Sequence, residues 1–133
     1  MTRLRNVLLL LATLFVTTPV SAHTTMLRDP EPATPTGSYN VTPAGATVTL
    51  VIVPSVFPSG LWYGYVFVNG DLVAEETMLI MRDRAGGYVW ENGKVGPRTG
   101  LTGAGTIKWN DDHYESVVTQ GDNTGTKRTL TPI

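Results

Sequence analysis

Two histidines, His23 and His113, and no cysteine occur in the 133-residue chain. Few side chains are therefore able to ligate a transition metal or to exchange protons near neutral pH. His113 closes an Asp-x-His triplet with Asp111, and on a turn such a triplet offers one carboxylate oxygen and one imidazole nitrogen. His23 would add an imidazole and its own α-amine if the chain were cut just before it. Nitrogen and oxygen ligands in a tetragonal arrangement are what copper(II) favours. Covalent catalysis has less to draw on, because a nucleophile, its base and an orienting group assemble in few ways from two histidines and no thiol. The adjacent carboxylates Glu75-Glu76 and Asp111-Asp112 would point to opposite faces of a strand, so neither pair shares a substrate. The expectation is a non-enzymatic protein without a required cofactor, with copper as the alternative.

The start of the chain supplies a reason for a cut at that place. Arg3 and Arg5 precede an apolar run over residues 7–16, interrupted at Ala12 and Thr13, and Val20 and Ala22 stand at the −3 and −1 positions of TTPVSA. The run is too short for a bilayer span, which needs about 20 residues. The pattern predicts a secretory signal peptide over residues 1–22, cleaved after Ala22, with no transmembrane segment in the mature chain. Without cysteine there is no acceptor for a lipoprotein anchor, so the product is expected free in the periplasm or outside the cell. A mature amino-terminal histidine followed later by Asp-x-His resembles the periplasmic copper-carrier β-sandwich family. That resemblance implies copper held by His23, Asp111 and His113.

Charge narrows the partners. The formal net charge is −1 with both signal arginines counted, and their removal makes it more negative. No Lys/Arg run remains for nucleic acid or anionic lipid. The aromatics are more suggestive: Trp62, Tyr63, Tyr65, Phe67, Tyr88, Trp90, Trp109 and Tyr114 crowd the middle of the chain. If they lie on strands, Trp62 shares a face with Gly64 and Val66, and Tyr63, Tyr65 and Phe67 share the other. Two apolar faces on one strand call for a covering arm, a partner, or a ligand cavity. Trp62, Tyr65, Trp90 and Trp109 are the expected ligand-contacting residues of a hollow fold.

These residues must be positioned by strands. Residues 23–37 are proline-rich and cannot hold a helix, so they read as an extended arm leading into one β domain over residues 38–133. From residue 38 onward, alternating or continuous β-type runs fall at 46–53, 61–68, 72–82, 87–91, 103–109, 113–120 and 126–130, besides 38–42. No apolar period of 3.6 persists for three helical turns. The 14 glycines fall mostly between these runs, where turns need positive φ. About eight short strands joined by tight turns predict an all-β, antiparallel up-and-down meander closed into a small barrel. A two-sheet sandwich is the alternative.

Two segments repeat. GYVFVNGD at residues 64–71 and GYVWENGK at 87–94 agree at five of eight positions, and YESVVTQGD at 114–122 is a weaker third copy. Asn-Gly between β runs signals a type I′ hairpin, so Asn69-Gly70 and Asn92-Gly93 are both expected to be turns. The spacing, with GAGTIKWNDDHY at residues 103–114, resembles the membrane occupation and recognition nexus hairpin repeat. Asp112 in place of a glycine and the long stretch between Gly93 and Gly103 depart from that pattern, and the repeat is read as hairpin chemistry used more than once. The leading functional expectation is a small binding protein for an apolar or aromatic molecule, or for a protein partner. Copper delivery and a structural, oligomer-forming role are the alternatives.

Overall fold

The computed structural model describes residues 29–93 and 101–133. Residues 1–22, where a signal peptide is expected, His23 and the first part of the arm lie outside the described residues. Asp29 and Pro30 group with the preceding stretch, and the barrel unit runs from Glu31 to Ile133.

Among the described residues every regular element is a strand: β1 Gly37–Thr42, β2 Val48–Pro54, β3 Trp62–Val68, β4 Asp71–Arg82, β5 Tyr88–Gly93, β6 Leu101–Asn110, β7 His113–Gly121 and β8 Lys127–Pro132. Each pairs antiparallel with the next, and β1 pairs with β8 (Tyr39 opposite Pro132, Val41 opposite Leu130), so the meander closes into an eight-stranded barrel. This continuous ladder excludes the two-sheet sandwich. Closure also leaves no sheet edge with unpaired backbone groups.

Period-2 alternation decides what fills the interior. Tyr39 and Val41, Leu50 and Ile52, and Tyr88 and Trp90 are buried pairs two residues apart, Trp62 and Val66 flank the inward Gly64 on β3, and Ile80, Ile107, Tyr114 and Leu130 complete the set. On β3 the intervening Tyr63, Tyr65 and Phe67 stand on the outer face, half-buried. They adjoin Val51, Val53 and Leu79 on neighbouring strands in register. The two apolar faces read from the sequence are thus the inside of the barrel and a patch on its wall.

At one end the barrel is filled. There the rings of Trp62, Tyr88, Tyr114, Tyr39 and Trp109 meet edge to face at centroid distances of 4.8–6.2 Å, each pair adding about 0.5–1.5 kcal/mol beyond area burial. The segment before β1 crosses this end. The Tyr39 hydroxyl donates to the Pro35 carbonyl at 2.6 Å, and Arg82 on β4 donates to the Ala33 carbonyl at 3.1 Å. Pro35 is fully buried. The Arg82 guanidinium also lies 5.4 Å from the ring centroids of both Trp62 and Tyr88, a cation–π contact worth about 0.5–1 kcal/mol at an exposed site.

Turn chemistry explains one copy of the repeat and not the other. Asn69 and Gly70 have φ of 51° and 88° and join Val68 to Asp71 as a two-residue hairpin, as a type I′ turn requires. Asn92 and Gly93 instead continue β5, paired with Gly103 and Leu101 on β6. The Gln120-Gly121 pair of the third copy likewise lies in β7, opposite Ala104 and Gly103. Local sequence favours a turn at all three places, and the ladder with β6 overrides it at two.

The buried phenols tie stability to pH. Burial first, and then repulsion from Tyr88, pushes the Tyr39 hydroxyl up to about 12; burial is also the main cause of the upward shifts of Tyr88 and Tyr114. A raised pKa contributes stability that is complete below the unfolded tyrosine value near 10 and is lost as pH rises toward the folded value. Urea unfolding at stepped pH should therefore show, above the neutral range in which His113 titrates, a plateau in midpoint and then a decline beginning near pH 10 (~10 for a free phenol). Ionisation of Tyr39, Tyr88 and Tyr114 should appear together with unfolding; phenolate formation by these three near pH 10 (~10 for a free phenol) in the folded protein would contradict this account.

Candidate functional site

The other end of the barrel is open and hollow. A cavity of about 250 Å³ enters there, walled by Val41, Leu50, Val66, Met78, Trp90 and Val118, with Ser116 and Arg128 among its polar groups and Glu76 and Asp122 at its rim. Arg128 is half-buried, whereas Glu76 and Asp122 are exposed.

The hollow exists because β6 has no side chains where Trp90 needs space. Gly105 lies opposite Trp90 in the β5–β6 ladder, and Gly103 lies two residues away on the same face. A Cβ on Gly105 would run into the Val117 carbonyl and come within 2.6 Å of the Trp90 ring, and one on Gly103 would lie 3.6 Å from it. The indole therefore rests on bare backbone, and its Nε1 donates to the Ser116 hydroxyl at 3.2 Å. Trp90 is 8 % exposed, so it forms a fixed aromatic wall. On β3, Gly64 makes similar room for the Leu50 and Ile80 side chains, each 3.2 Å from where its Cβ would stand.

Of the four aromatics singled out in the sequence, Trp90 lines the cavity. Trp62 and Trp109 pack in the ring cluster at the filled end. Tyr65 faces outward, since it pairs with Val51 between the inward Leu50 and Ile52. Sequence reasoning missed Ser116 and Arg128. Their signal was the pairing of the last two strands, where Ser116 lies opposite Arg128 and Tyr114 opposite Leu130, and that register is not visible in a single chain of letters.

The copper triplet lies elsewhere. Asp111 and Asp112 form the two-residue turn between β6 and β7, and Asp111 has φ of 62°. His113 Nδ1 lies 2.8 Å from Asp112 and its Nε2 3.5 Å from Glu115. Among the described residues no cluster of three His, Cys, Asp or Glu side chains is placed to hold a metal ion; His23 is outside them. The hydrogen bond that His113 donates to Asp112 is the main cause holding its pKa above the ordinary imidazole value; partial burial opposes it and Glu115 assists it. Comparison with protein-family models, curated proteins and solved structures finds no match for this chain.

Two outcomes follow from this geometry. Gly105→Ala should displace Trp90 and cost about 1–3 kcal/mol, as overpacking does. It is measurable as a lower urea midpoint together with a shifted Trp90 indole N–H resonance, and an unmoved resonance would show that the ring does not rest there. For His113, the raised pKa gives a stabilising contribution that is complete below the unfolded imidazole value and is lost as pH rises through the folded one. A proton-resonance titration should place His113 above about 6.5, and Asp112→Asn should bring it down.

Proposed function

We propose that this chain is a small exported binding protein, not an enzyme, whose barrel takes up one apolar or aromatic small molecule. The observation that carries this reading is the cavity of about 250 Å³ at one end of a barrel whose other end is filled by rings. A comparable dry, apolar cavity of roughly 150 Å³ accommodates benzene, so the space suits a single ring with a short substituent. Its inner wall of Val, Leu, Met and Trp side chains, with polar residues such as Ser116, Thr126 and Arg128 among them, has the make-up of a small-molecule site. Export rests on the charged start, short apolar run and small residues of positions 1–22. The non-enzymatic reading rests on the sequence, whose two histidines and lack of cysteine leave few ways to assemble a nucleophile, its base and an orienting group.

Binding is measurable through the Trp90 indole N–H resonance. Titration with benzyl alcohol should shift it saturably, and Met78→Trp, which grows into the cavity, should abolish the shift while leaving the fold intact. No saturable shift with benzyl alcohol or other single-ring probes, or an undiminished shift in Met78→Trp, would overturn the reading.

A further inference from the structure

We propose that the ligand of this cavity carries a carboxylate, held by the Arg128 guanidinium with the Ser116 hydroxyl beside it. The inference rests on the small-molecule reading above and specifies the chemistry of that same site.

Arg128 is an unusual residue for the inside of a small apolar barrel. It shares the inward face of β8 with Leu130, which is 3 % exposed and belongs to the core, and it lies one inward step above that residue. Its guanidinium has five N–H donors. One hydrogen bond holds it, from Nη1 to the Pro43 carbonyl at 3.1 Å. Among the described residues no carboxylate is paired with it, although ion pairs do occur at His113. A charge partly withdrawn from water without a counter-charge is unfavourable, and a carboxylate corrects this with two parallel N–H···O bonds that match the planar fork.

The neighbouring strand supplies a second donor. Ser116 stands directly opposite Arg128 in the β7–β8 ladder. Its oxygen already accepts the Trp90 Nε1–H, which leaves the hydroxyl proton to be donated. A carboxylate set between these two residues would place an attached ring against the Trp90 wall. The rim acids Glu76 and Asp122 are exposed, so water and salt screen their repulsion of an incoming anion, whereas Arg128 acts from the half-buried position.

The test compares phenylacetate with phenylacetamide, which has nearly the same shape and no charge. Isothermal titration calorimetry on the wild-type protein should show phenylacetate binding about tenfold more tightly, the order expected of a charge-assisted pair. Arg128→Gln should remove that preference, so that the two probes bind within about twofold of each other. Equal affinity of the two probes for the wild type overturns the proposal while leaving the small-molecule reading standing, and it does so whether or not the variant folds. A preference that survives in folded Arg128→Gln overturns the role of Arg128. If neither probe binds, the cavity reading falls and this proposal falls with it.

Discussion

The ladder between β1 and β8 is the constraint on which the rest depends. Eight antiparallel strands in sequence order make a sheet, and pairing the first with the last makes an inside. Every second residue is then committed to a space of fixed size, which for eight strands is just wide enough for side chains or one small ligand. The chain reinforces this closure from both termini of the domain. The Ile133 N–H donates to the Ser38 carbonyl, and the segment before β1 is fastened through Pro35 and Ala33 to Tyr39 and Arg82. With no cysteine in the sequence, backbone pairing and packing replace the cross-links that small exported domains often use.

A space of fixed size is divided between rings and emptiness. At the end where the arm crosses, Trp62, Tyr88, Tyr39 and Tyr114 fill the bore, and their edge-to-face contacts fix one another's orientation. Toward the other end the inward positions of β6 are Gly103 and Gly105, and the Trp90 ring from β5 rests against them. On β4, extra residues between Val73 and Met78 sit opposite Gly64–Val66, so the wall bulges at the open end and brings Glu76 to the rim. Large residues at one end and missing side chains at the other produce a cup.

The polar groups of the cup show the same economy. Ser116 satisfies Trp90, and Arg128 satisfies Pro43, each with one hydrogen bond. Both keep donors beyond those bonds, and both stand on adjacent strands in register. The outer wall is different: Tyr65, Tyr63 and Phe67 lie with Val51, Val53 and Leu79 on the outside of the barrel. The aromatic richness of this chain therefore serves three separate places, the filled end, the cavity wall and the outside.

The sequence by itself determined the β class, the number and approximate limits of the strands, and the Asn69-Gly70 hairpin. These follow from alternation and turn chemistry, which act over a few residues and are visible locally. It also put Trp62 and Tyr65 on opposite faces of one strand, because side-chain direction alternates, but which of the two faces turns inward only the closed barrel decided. Only the tertiary structure decided that Asn92-Gly93 stays in a strand, since pairing with β6 outweighs the local preference for a turn. It alone showed that Trp90 lines a cavity while Trp62 and Trp109 fill the opposite end, because depth along a barrel depends on the stagger of strands rather than on residue type. Arg128 and Ser116 became neighbours in the same way, through a cross-strand register that links residues distant in the chain.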